Sequence, residues 1–182
     1  MCGKINPETL HFRPITERDF DSCQGFSCNN TSMDSFLKQE AYFRHISREA
    51  STTLFFIGEE LVGYFTLCHK KIQLDEDDSG MPNDDSLKHR DSLDIARIAI
   101  SETRQNLGIG EVALRLIIQL AYIINERYIT LDALFEKRNW YRKLGFKPAI
   151  QEEYQKENEL SLVYMYLDVY DPKLLDDYFE NP

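Results

Sequence analysis

The spacing of hydrophobic positions changes several times along the chain, and each change marks an element. Leu10-His11-Phe12-Arg13-Pro14-Ile15 reads as an edge strand, because proline removes a ladder donor. Thr31-Ser32 offers a cap to a helix running through Met33, Phe36, Leu37, Ala41 and Phe43, with polar residues on its other face. Thr52 to Ile57 and Leu61 to Leu74 are β-rich runs joined by Gly58-Glu59-Glu60, a hairpin signal, and Gly63 and Tyr64 lie where a sheet bends or packs closely. Asp91 to Ile100 is a further strand. Glu111 to Arg127 is helical by pattern, with Val112, Ala113, Leu116, Ile117, Leu120, Ala121 and Ile124 on one stripe. Tyr128 to Phe135 returns to strand, which makes a β-α-β unit with parallel pairing. Lys137 to Leu144 is a short helix stopped by Gly145, Phe146 begins the next strand, and Leu160 to Val169 alternates as the last. This order predicts a mixed α/β sheet.

With 182 residues, and no internal repeat or dividing linker, the chain reads as one domain spanning 1–182, with a core of about 10–169 and a tail over 170–182. The tail places Leu174, Leu175, Tyr178 and Phe179 at helical spacing, ready to pack on the body or on a partner. A hydrophobic content of 42% with 12% aromatics excludes a disordered chain. No apolar run reaches the length of a membrane span and Met1 to Pro7 lacks a signal-peptide core, so a cytoplasmic protein is expected. Cys2, Cys23, Cys28 and Cys68, with His11, His45, His69 and His89, lack the spacing of a disulfide framework or a metal site, so no metal is expected.

A formal net charge of −10, from 21 Lys and Arg against 31 acids, opposes a nucleic-acid partner and suits a cationic one. The acidic run from Asp75 to Asp85 is read as a solvated connector, and its position just before the Asp91 strand keeps a substrate-steering reading open.

The candidate chemistry begins where that strand ends. Ser92 to Gly110 reads SLDIARIAISETRQNLGIG, an apolar strand feeding the turn Arg104-Gln105-Asn106-Leu107-Gly108-Ile109-Gly110, which opens the long helix. Backbone N–H groups at a helix start have no intrahelical partner and carry partial positive charge, so main chain alone can hold a pyrophosphate there. Gly108 and Gly110 allow close approach and φ > 0. Many strand-to-helix loops use glycine for turn geometry only, so this feature needs a second one.

The second feature is Trp140-Tyr141-Arg142-Lys143-Leu144-Gly145-Phe146, about thirty-five residues on, beyond a helix and a strand. Gln105-x-x-Gly108-x-Gly110 paired with this motif resembles the signature of the GCN5-related N-acetyltransferases, the GNAT family, over roughly Leu10 to Asp168. The resemblance implies a mixed, mostly antiparallel central sheet with a parallel pair around the cofactor, flanked by helices. It implies acetyl-CoA as co-substrate, with pyrophosphate on Arg104 to Gly110 and pantetheine along Ile98, Ala99 and Ile100. It also implies direct acetyl transfer to an amine in a ternary complex, with Tyr141 as the general acid for the departing thiolate. Tyr141 beside Trp140 and Phe146 also reads as a core aromatic. For the base, Glu102, Asp94, Asp132 and His45, or a water chain ending on one of them, are candidates without geometry to choose among them. The strand before the turn reads Ile95-Ala96-Arg97-Ile98 where the family often carries an acid, and Asn139 stands only two residues before the tyrosine.

Phe26 to Leu37 and Gly63-Tyr64-Phe65-Thr66-Leu67 resemble the GNAT branch that includes toxins acetylating aminoacyl-tRNA. Charge argues against that substrate, so the leading expectation is an N-acetyltransferase for a primary amine of a small molecule or protein. Acetylation of aminoacyl-tRNA and a non-catalytic CoA-binding module are the alternatives. A homodimer is a family tendency that the apolar tail accommodates.

Overall fold

The computed structural model describes residues 6–72 and 91–175. The acidic run at 75–85, the end of the second β-rich run at Leu74, and Tyr178 and Phe179 lie outside these residues. Seven strands form one mixed sheet in the order β1-β2-β3-β4-β5-β7-β6: β1 Leu10–Pro14, β2 Ser51–Ile57, β3 Glu60–Lys71, β4 Asp91–Ile100, β5 Tyr128–Leu134, β6 Lys147–Pro148 and β7 Leu162–Asp168. The helices are α1 Phe20–Gln24, α2 Thr31–Gln39, α3 Ala41–Ile46, α4 Ile109–Ile123, α5 Arg138–Lys143, α6 Gln151–Gln155 and α7 Pro172–Leu175. No helix among the described residues is long and apolar enough to cross a membrane. Two compact units divide the chain, 1–68 with 96–114 and 69–95 with 115–182.

In the first unit β1 pairs antiparallel with β2 and β2 with β3. The proline-bearing strand is at the sheet edge, as its missing donor requires. The hairpin turn is tighter than the sequence suggests: Gly58 takes φ +59°, and Glu60 already pairs with Ile57. The cap of α2 also differs. Asn30, rather than Thr31 or Ser32, accepts the N–H groups of Ser32 and Met33 at 3.1 and 3.2 Å. One helix was expected through Phe43, but Glu40 breaks it at φ −117°, and Phe43 is exposed. Phe26, Phe36, Leu37, Leu54, Phe56 and Tyr64 form the core here. The Tyr64 hydroxyl donates to the Met33 carbonyl at 2.8 Å, which satisfies its one polar atom.

In the second unit β4 and β5 are parallel, with Leu93 opposite Ile129 and Asp94 opposite Thr130, while β7 pairs antiparallel with both β5 and β6. Asp94 is 1% exposed, accepts from Thr130 Oγ1 at 3.0 Å and is ion-paired with Lys70 at 2.9 Å. Gly145, at φ +95°, terminates α5: its N–H bonds to Arg142 O at 3.2 Å and that of Phe146 to Tyr141 O at 3.1 Å.

Helix α4 begins two residues before the expected Glu111 and ends four before Arg127. Its buried residues are Ile109, Ala113, Leu114, Ile117, Ile118 and Ala121, so Leu114 and Ile118 replace the expected Val112, Leu116 and Leu120 at the centre of the stripe. Ile124 lies beyond the helix and is 52% exposed. A helix that is apolar on most sides leaves the choice of inner face to the sheet it meets.

A Cβ at Gly63 would lie 2.7 Å from both Ala99 O and the Phe55 ring. Gly63→Ala is therefore expected to cost about 1–3 kcal/mol. Denaturant unfolding measures this, and an unchanged midpoint would contradict the close approach.

Candidate functional site

The turn that leaves β4 is fixed by local bonds within the first unit. Ser101 N–H donates to Val62 O and Glu102 N–H to Ser27 O, both at 2.9 Å. The Gln105 carboxamide then donates to Cys28 O at 3.1 Å and to Ile100 O at 3.2 Å. Asn106 takes φ +63°, a left-handed conformation that asparagine tolerates, and Gly108 takes φ +86°. At Gly108 a Cβ would meet nothing within 4 Å, so the backbone conformation selects glycine there rather than any lack of room. Gly110 lies in the first turn of α4.

Gly108 O accepts the N–H groups of Glu111 and Val112 at 3.1 and 3.2 Å. No hydrogen bond ties the N–H of Ile109 or Gly110 to another described residue. Two aligned donors at the start of a fifteen-residue helix, beside open space at Gly108, fit a phosphate group. Ile109 is buried and pins the helix start, which leaves the backbone as its contribution. Arg104 does not face the turn uncompensated: its Nε donates to Glu60 at 3.2 Å and the pair holds the Glu60 carboxyl below its usual range.

Along β4, Ala99 is buried in the first unit's core, while Ile98 and Ile100, which alternate with it, are half-buried. Arg97 shares the Ala99 parity and stands over the Phe36 ring at 5.1 Å.

In the second unit, Tyr141 on α5 is 8% exposed and contacts Trp140 and Phe146 edge to face, with ring centroids 4.8 and 5.6 Å away. Its hydroxyl has no hydrogen-bond partner among the described residues. Burial pushes the phenol well above its ordinary value. Asn139, two residues earlier, accepts from the Tyr154 hydroxyl at 2.6 Å.

The four base candidates separate by environment. Asp94 is consumed by Lys70 and Thr130. Asp132 is half-exposed, and burial pushes its carboxyl up against the opposing pull of Lys70, 3.9 Å away. His45 Nδ1 accepts the Thr52 N–H at 3.1 Å, and burial with the nearby Arg48 holds the ring's pKa down. Glu102 is exposed at the start of a 3-10 turn. Burial pushes the Cys23 and Cys28 thiols up to about 11 and about 12, with the bond to Asp34 adding to the shift at Cys28, so neither is a poised nucleophile. No group of three potential metal ligands occurs among the described residues.

A cleft in the second unit, about 810 Å³ in volume around the edge strand β6, has no signature in the residue pattern. Arg115, Arg142, Lys143, Lys147 and Lys173 line it against two carboxylates, Asp168 and Asp171. Those carboxylates are engaged by Arg127 at 2.8 Å and Lys147 at 3.2 Å. Five cations from β6 and three helices gather in one cleft of an acidic chain, a concentration that no single stretch of sequence displays.

No family model matches the sequence, and no curated protein matches it. Solved structures do match. The structure of AtaTR bound with acetyl-CoA shares 20% identity over 92% of this chain and 98% of its own, with a TM-score of 0.72. One described as a bacterial toxin shares 16% over 95% and 96%, at 0.78. AtaT complexed with acetyl-methionyl-tRNAfMet shares 22% over 91% and 98%, at 0.70. The chain thus has the GNAT fold.

The left-handed Gly108 yields a direct test. Gly108→Val is expected to lower stability by about 1–2 kcal/mol through backbone strain, since a β-branched residue disfavours this φ. Thermal unfolding measures the loss, and a wild-type midpoint would show that the turn does not need this conformation.

Proposed function

We propose that this chain is an acetyl-CoA-dependent N-acetyltransferase whose acceptor is the α-amino group of an aminoacyl-tRNA. The observation that carries the reading is the pair of unpartnered N–H groups at Ile109 and Gly110, in a GNAT-type fold whose solved neighbours include one bound with acetyl-CoA and one complexed with acetyl-methionyl-tRNAfMet. The net charge set an expectation against nucleic acid. The five-cation cleft around β6 answers that objection locally, because phosphate contacts depend on clustered cations rather than on the charge of the whole chain.

Acetyl-CoA supplies an activated acetyl thioester. The N–H groups of Ile109 and Gly110 take the pyrophosphate oxygens, and the turn's left-handed residues hold them in place before binding. The β4 backbone at Ile98, Ala99 and Ile100 runs along the amide-bearing pantetheine arm, in the manner of strand addition. The neutral acceptor nitrogen forms the new bond to the acetyl carbon as the carbon–sulfur bond breaks, and the proton it then sheds passes to solvent water. Tyr141 supplies the proton to the departing sulfur, and its raised pKa keeps it protonated throughout the neutral range.

The acceptor's own acidity favours this substrate. An α-amino group titrates near 8, roughly two units below a lysine or polyamine nitrogen near 10.4. A useful fraction is neutral at physiological pH, which suits a site where Asp94 is locked in an ion pair and no described carboxylate is dedicated to proton removal.

The test is transfer of labelled acetyl from acetyl-CoA to aminoacyl-tRNA, beside uncharged tRNA, polyamines and basic peptides. Modification of aminoacyl-tRNA is expected, with Tyr141→Phe reducing the rate about a hundredfold or more and leaving acetyl-CoA affinity intact. Preference for polyamines would overturn the acceptor assignment. Tight CoA binding without transfer to any amine would favour a non-catalytic module.

A further inference from the structure

One cation in the first unit is conspicuous for what it lacks. Arg13, Arg44, Arg104 and Arg127 each hold a carboxylate. Arg97, half-buried on β4, has no carboxylate partner among the described residues, in a chain with 31 acids. Its Nε is enclosed and without a hydrogen-bond partner, the only buried side-chain nitrogen or oxygen in that condition among the described residues. Nη1 donates at 2.7 Å to the carbonyl of the adjacent Ala96, and the guanidinium lies over the Phe36 ring. Phe36 is itself buried and stacked on Tyr64 at 6.3 Å, so the platform under the cation is fixed.

A half-buried guanidinium whose Nε is enclosed without a partner carries an uncompensated desolvation cost, which a cation–π contact and a single carbonyl offset only in part. The fork is planar, suits two oxygens of one anion, and is held in advance of any ligand. Arg97 also adjoins Ile98, the first of the residues assigned to the pantetheine arm, and its side chain projects on the α2 side of β4.

We propose that Arg97 is a recognition residue for a phosphate of the acceptor, the one on the terminal nucleotide that carries the reacting amino acid. The inference rests on the aminoacyl-tRNA reading and deepens it by assigning the acceptor side of the site. The same cation disfavours polyamines and aminoglycosides, because a second positive charge brought to a half-buried guanidinium is repelled.

A pair of acceptors separates this role from a structural one: 3′-aminoacylamino-adenosine with and without a 5′-phosphate, each acetylated by wild type, Arg97→Ala and Arg97→Lys. In wild type, removing the phosphate is expected to lower kcat/KM at least tenfold, mainly through KM. In Arg97→Ala the two acceptors become equivalent, and Arg97→Lys recovers part of the difference because it keeps the charge and loses the fork. Acetyl-CoA affinity stays unchanged, and the Tm of Arg97→Ala is equal to or above wild type, since an unsatisfied buried donor has been removed. A persistent phosphate effect in Arg97→Ala, or a Tm well below wild type without a change in acceptor preference, overturns the proposal.

Binding of a labelled aminoacylated RNA hairpin, read by anisotropy, keeps the two readings apart. Arg97-dependent binding without acetyl transfer defeats the proposed reaction and leaves the phosphate site standing. Transfer that is indifferent to Arg97 defeats the phosphate site alone, and failure of wild type to bind the hairpin defeats it as well.

Discussion

The candidate chemistry depends on how a single side chain, Gln105, ends a strand. Its carboxamide gives one hydrogen to the last carbonyl of β4 and the other to Cys28, in the loop before α2. That double donation holds the chain where it leaves β4 and ties the outgoing turn to the loop before α2 in the first unit. Asn106 and Gly108 then enter left-handed conformations, and α4 starts with two backbone donors that have no partner among the described residues. Gln105 was read from the sequence as a residue of the cofactor turn. Its side chain is engaged with Cys28 O and Ile100 O, so the proposed phosphate contacts fall to the backbone that follows.

Much of this was legible in the residues because local rules and global packing agree. The strand Asp91–Ile100 is long, apolar and bounded by a turn signal, and its observed limits coincide with the expected ones. Gly145 ends α5 as its position suggests, since no residue with a Cβ enters the required conformation cheaply. Where the reading failed, the sequence offered several answers of similar energy. Asn30, Thr31 and Ser32 are three cap-competent residues in succession, and the choice falls to the one whose oxygen reaches two N–H groups. The five-residue helices α1 and α6 are too short to establish a period.

The site was legible in its backbone part and opaque in its electrostatics. Glycine spacing announces a turn before a helix, and an aromatic-rich motif announces a buried phenol. Neither says which charges are neutralised. Glu60 compensates Arg104 from a strand forty-four positions earlier, and Lys70 occupies Asp94 from a neighbouring one. Arg97 has no carboxylate partner among the described residues, although acids outnumber bases along the chain. Net charge is a poor guide to a partner for the same reason: the five cations around β6 come from segments scattered between Arg115 and Lys173.

In the proposed reaction the phosphate contacts come from main chain, and the proton donor is a phenol kept neutral by burial. Calorimetric titration of the protein with CoA and with pantetheine, which lacks the pyrophosphate and nucleotide, is the most direct test, because every later step of the proposed reaction requires the turn to hold the pyrophosphate. CoA is expected to bind at least a hundredfold more tightly, and a Gly108→Val protein that remains folded to lose most of that advantage. Equal affinity for the two ligands, or an advantage that survives the substitution, would contradict this expectation.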